Sequence, residues 1–80
     1  MHNIIMCKVK NMFTDEYKKI GLNLLLARRR RGLSQEQLSD LSGVSRARIS
    51  DMERGKETFK LDTLMMLAKA MDMDYQELLK

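Results

Sequence analysis

The stretch QEQLSDLSGVSRARISDMERG, residues 35–55, decides the fold of this chain. Gly43 splits it into two helical runs of about eight or nine residues with only a short turn between them. Leu38, Leu41, Val44, Ile49 and Met52 supply an apolar interior, and the small side chain of Ser39 lets the two runs approach closely. Ser34 with Gln37 makes a capping box at the start of the first run, and Ser45 caps the second. Gly43 and Gly55 end them. Two short helices joined this tightly form a helix-turn-helix.

The flanking sequence extends the helical pattern. Thr14 opens a first helix with Asp15 and Glu16 in its first turn, and Gly32 ends it after Arg28 to Arg31. A polar loop, KETFK, leads to a fourth helix from about Leu61 to Met71, and Asp74 caps a short fifth. The expectation is an all-α, five-helix domain over residues 14–80. A leader or N-terminal arm, residues 1–13, precedes it; there Ile5, Cys7 and Val9 alternate with Met6, Lys8 and Lys10. Composition agrees: 80 residues suit one domain, proline is absent, and good helix formers dominate.

Several function classes find no support. One cysteine, Cys7, allows no internal disulfide, and one histidine, His2, leaves no zinc constellation. Ser34, Ser39, Ser42, Ser45 and Ser50 have no nearby histidine base, and no glycine-rich phosphate loop is present, so an enzyme is not expected. Neither metal nor cofactor is expected. No apolar run approaches the roughly 20 residues of a membrane span, and no signal peptide is evident. The expected location is therefore cytoplasmic, on the nucleoid when bound to DNA.

The net charge of +4 is unevenly spread. Residues 15–32 carry six bases against two acids, and residues 46–56 carry four against two. Residues 57–80 carry three bases against five acids. Such polarity suits a face that meets a polyanion. At about 100° per residue, Arg46, Ala47, Ser50, Asp51 and Arg54 share one arc of the third helix, with Ile49 and Met52 opposite. That narrow polar arc suits insertion into a DNA major groove. An ordinary solvated helix face would look the same on the wheel, which weighs the two readings equally.

The segments IGLNLLLAR, GLSQEQLSDLSGVSRARISDMERGK and TLMMLAKAMDMDYQELL resemble the XRE/Cro family, the lambda- and 434-repressor-like DNA-binding domains. The resemblance covers about residues 20–79. It implies a sequence-specific transcriptional regulator, in the repressor mould, acting on double-stranded DNA. Gln35 matches a residue that meets a phosphate and often an adjacent base, and Ser45 matches the recognition-helix cap that touches phosphate. Arg46, Ala47 and Asp51 match base-reading positions, while Arg48 and Ser50 match positions nearer the groove wall. Arg28 and Glu53 match a buried ion pair joining the first helix to the third. Homodimers in this family form through the C-terminal part of the fold. Two-fold pairing would set recognition helices about 34 Å apart on a palindromic operator.

Side-chain chemistry refines these roles. Arg46 suits bidentate pairing with guanine, and Ala47 offers only a methyl. Asp51 can accept from cytosine, pair with Arg48 or orient Arg54; the orienting role is favoured, because a carboxylate beside phosphates is unwelcome. Departures from the family pattern are Ser39 in place of alanine and Phe59 near a position where proline is common. Lys56 and Lys60 flank that loop within reach of the DNA backbone or minor groove.

Two features exceed what a minimal core needs. Leu22, Leu25 and Leu26 fall roughly opposite the inward stripe Ile20, Leu24 and Ala27. The leader, through Ile4, Ile5, Val9 or Phe13, is the expected cover, with a second subunit as the alternative. Leu64, Leu67, Ala68, Met71, Met73 and Leu78 read as core, whereas Met65, Met66, Leu79 and Tyr75 are surplus. They leave open a second function class, an antitoxin or other interaction module binding a toxin or another protein partner. Of the four arginines, Arg28 is expected inward and Arg29 and Arg30 outward; the direction of Arg31 is open.

Overall fold

The computed structural model describes residues 13–56 and 58–80. Four α-helices and one 3-10 helix follow in order: α1 (Thr14–Arg30), α2 (Gln35–Ser42), α3 (Arg46–Glu53), α4 (Leu61–Ala70) and η1 (Tyr75–Leu79). The expected all-α class holds, and no strand occurs among the described residues. The fifth helix is a 3-10 helix rather than an α-helix. Asp74 does cap it, accepting from the Gln76 N–H at 3.0 Å. The Glu77 N–H closes onto the Asp74 carbonyl, three residues back, at 3.0 Å. Five residues suit that tighter winding, which is used in short pieces. The expected cover by Ile4, Ile5 and Val9 lies outside the described residues.

Three helices end in the same way. After α1, the Gly32 N–H donates to the Arg29 carbonyl and the Leu33 N–H to the Arg28 carbonyl. Gly55 and Lys56 repeat this after α3, and Asp72 and Met73 after α4. Each is a Schellman motif, whose first residue outside the helix must be left-handed. Gly32 and Gly55 meet that need at φ +67. Asp72 does so at φ 55, at a steric cost that glycine avoids.

The core lies between α1 and α3 on one side and α2, α4 and η1 on the other: α2 packs on α3 and α4, and η1 on α1 and α4. Leu24, Leu38, Ile49, Met52, Leu64, Leu67 and Leu78 are its largest fully buried side chains. Losing one such leucine to alanine costs about 2–5 kcal/mol, so each is a sizeable share of a small domain's stability. Leu41, expected inside, is 61% exposed. It lies in the last turn of the short helix α2, whereas Val44, beyond the turn at Gly43, is buried as expected. Met73, expected as core, is only partly buried against it.

Two polar ties close the bundle. Arg31 Nε donates to the Met71 carbonyl at 2.5 Å, joining the end of α1 to that of α4. Asn23 Nδ2 donates to the Leu78 carbonyl at 2.9 Å, holding η1 against α1. Phe59, near the position where the family often has proline, is half-buried and meets Tyr17 edge-on at a centroid distance of 4.9 Å. Helix α1 crosses α3 at Gly21, where even a methyl group would lie 2.0 Å from the Met52 carbonyl oxygen.

Candidate nucleic-acid interface

Helix α3 is built to present one face. Ser45 Oγ accepts from the Arg48 N–H at 3.2 Å, fixing the start of the helix. The turn before it depends on Gly43, left-handed at φ +80. Ile49 and Met52 are buried in the core, which settles the helix rotation. Arg46, Ala47, Arg48 and Arg54 are therefore exposed, with Ser50 and Asp51 half-buried beside them. The arc read from the wheel is a real surface.

Within that arc Arg54 Nη2 pairs with Asp51 Oδ1 at 2.9 Å. Both partners are partly solvated, so the pair adds little stability, about 0–1 kcal/mol. The pair orients Arg54 and offsets the charge of the Asp51 carboxylate. Arg46 and Arg48 have no ion-pair partner among the described residues.

The rear of α3 is anchored by a buried network. Arg28 Nε donates to Glu53 Oε2 at 2.7 Å, and Arg28 Nη2 donates to Glu53 Oε1 at 3.0 Å. Arg28 Nη1 donates to the Leu33 carbonyl at 2.7 Å. The ion-paired side chains are only 10% and 4% exposed. Hydrogen bonding to Glu53 raises the Arg28 pKa; desolvation opposes that rise and the Glu53 charge assists it. A bidentate, nearly dry pair fixes geometry strongly, since breaking one leaves an uncompensated buried charge.

Gln35 belongs to the same network. Its Nε2 donates to Glu53 Oε1 at 3.0 Å. One amide hydrogen is thereby engaged and the second is left for another acceptor. This link between α2 and α3 was not visible in the sequence, because residues 35 and 53 are joined only by the fold. Ahead of Gln35 the capping box is complete: the Gln37 N–H donates to Ser34 Oγ, and the Ser34 N–H donates to Gln37 Oε1.

A second cation group lies beside the start of α3. A cleft of about 470 Å³ is lined by Ser45, Arg48, Lys60, Asp62 and Thr63, among others. It brings the N-terminal ends of α3 and α4 together, where free backbone N–H groups favour an anion. Lys60 sits at the N-cap of α4 and is exposed. Lys56 follows Gly55, and its backbone N–H donates to the Asp51 carbonyl at 3.0 Å. Its side chain is exposed at the far end of α3. No group of histidine, cysteine or carboxylate side chains suited to a metal occurs among the described residues. No described helix is long and apolar enough to cross a membrane.

A helix-turn-helix model, HTH_3, matches residues 24–78. An HTH-type transcriptional regulator of Sinorhizobium fredii, y4dJ, is 38% identical over 64 residues, which are 80% of this chain and 83% of that one. The control protein C.SmaI of Serratia marcescens is 37% identical, over 84% of this chain and 80% of its own. Among solved structures, the restriction-modification controller protein C.AhdI of Aeromonas hydrophila superposes with a TM-score of 0.77 at 38% identity. That match covers 80% of this chain and 97% of the other.

Proposed function

The chain belongs to the helix-turn-helix family HTH_3, and from that membership we propose how it regulates transcription: it binds a palindromic DNA operator as a homodimer and reads bases with α3. The observation that carries this reading is the exposed arc of α3, held from behind by the Arg28–Glu53–Gln35 network. Arg46 is the principal base reader, paired with guanine, and Ala47 offers its methyl to thymine. Arg54, oriented by Asp51, reaches a base edge or the adjoining phosphate. Ser50 lines the groove beside them.

Phosphate contacts fix the register. Ser45, Arg48 and Lys60 hold one strand at the cleft between α3 and α4. The free amide hydrogen of Gln35 and the side chain of Lys56 hold the backbone on either side. Likeness to a control protein and to a restriction-modification controller protein supports the regulatory reading.

The homodimer rests on surplus apolar surface. Leu61, Met65, Met66 and Leu79 are exposed on α4 and at the end of η1. Leu61 and Leu79 also line a mainly apolar cleft of about 400 Å³. Pairing through this side sets two copies of α3 about one DNA turn apart.

Selection of bound sequences from a random duplex library tests the whole reading. An inverted repeat with half-sites about 10 base pairs apart, bound with steep salt dependence, is the expected result. Recovery of no preferred sequence would overturn base reading. A single half-site bound by a monomer would overturn the dimer.

A further inference from the structure

We propose that the outward face of α1 docks an acidic, amphipathic helix of a partner protein. The side of α1 carrying Gly21, Leu24, Ala27 and Arg28 is buried. At about 100° per residue, Leu22 and Leu26 point to the opposite side. They are 51% and 39% exposed, one helical turn apart, and form a single apolar stripe. A recess of about 300 Å³, lined in part by Leu26, Arg30, Met73 and Leu78, opens beside it between α1 and η1.

Exposed cations bracket the stripe at both ends: Lys19 before it, Arg29 and Arg30 after it, while Lys18 lies against Gly55 at the end of α3. None of these three is ion-paired among the described residues. Two acids adjoin this face: Asp15, one turn before Lys19, and Glu77, which lines the recess and is already paired with Lys80 at 3.3 Å.

Charge selects the occupant. A second copy would set this positive face against itself. Residues 1–12 contain Lys8 and Lys10 and no carboxylate, so the leader meets the same repulsion. DNA engaged by α3 lies elsewhere, because α3 packs against the other side of α1, at Gly21 and Arg28. A lipid surface takes up a helix with a broad apolar face, and two leucines between cations are too narrow for that. What fits is a helix whose apolar anchors, spaced at i, i+3 and i+4, meet Leu22, Leu26 and the recess. Carboxylates on its flanks would meet Lys19, Arg29 and Arg30. The face stays open when α3 is on DNA, so the regulator can hold DNA and this partner together.

The test is an NMR titration of the full isotope-labelled chain with a synthetic probe. The probe is a helical peptide with leucines at i, i+3, i+4 and i+7 and glutamates elsewhere; its control carries lysines for the glutamates. Amide shifts clustered at residues 18–30, binding to the glutamate peptide alone, and about tenfold weakening at high salt are expected. Leu22→Ser with Leu26→Ser should weaken that binding at least about fivefold while operator affinity stays unchanged. A failure here is thus separable from a failure of DNA binding. Shifts confined to residues 45–56, equal binding of the lysine peptide, or no effect of the double serine variant would overturn the proposal. So would no binding at all, or capture of the same face by phosphatidylglycerol vesicles in place of the peptide.

Discussion

Replacing Gly21 with alanine pits two effects of opposite sign against each other. Alanine is the better helix former, and the exchange alone would stabilise α1 by about 1 kcal/mol. The structure places the new methyl 2.0 Å from the Met52 carbonyl oxygen and 3.1 Å from its carbon. An ordinary contact needs about 3.5 Å, so the helices must part by roughly 1 Å or more. The obstacle is backbone, which no rotamer change relieves. Overpacking of this kind costs about 1–3 kcal/mol, and a backbone obstacle belongs at the upper end. The net expectation is about 2 kcal/mol of destabilisation, a fall in Tm of roughly 8–16 °C for a domain of this size. Thermal unfolding followed by circular dichroism measures it, with Lys19→Ala on the exposed face of the same helix as the neutral control. An unchanged or raised Tm for Gly21→Ala would refute the close crossing of α1 and α3.

Other consequences follow from the same geometry. Glu53→Ala should cost about 3–5 kcal/mol in chemical denaturation, because it leaves Arg28 buried with the Leu33 carbonyl but no counter-charge. Asp72→Gly should raise stability by about 0.5–1 kcal/mol, since the left-handed position after α4 favours glycine, and a lower Tm would contradict the assigned φ of 55. Lys60→Ala should weaken all duplexes alike and reduce the slope of log affinity against log salt by about 1, as removal of one phosphate contact does. A change of preferred sequence in that variant would place Lys60 against bases instead.

The helix-turn-helix was legible because its signals are local. Ser34 with Gln37, Gly43, Ser45 and Gly55 announce their caps within a few residues, and Ile49 and Met52 settle the face of α3 by period alone. What escaped the sequence depends on distant partners. Gly21 drew no reading in the sequence because the Met52 carbonyl packed against it belongs to a distant helix. Arg31 gave no direction because its acceptor, the Met71 carbonyl, lies 40 residues away. Gln35 read as a phosphate ligand, while the fold also commits it to Glu53. Leu41 was misplaced because it lies in the last turn of the short helix α2, at the edge of the face that Leu38 turns inward. The winding of η1 was missed because a cap and two leucines look alike for a short α-helix and a 3-10 helix.

The proposed base reading by α3, with Arg46 foremost, stands or falls on a fluorescence anisotropy titration of Arg46→Ala against the selected operator and against single-base variants of it. Affinity for the operator should fall by about 1–3 kcal/mol, and the preference at one base pair in each half-site should flatten. Operator affinity and base preference indistinguishable from the unmodified chain would contradict it.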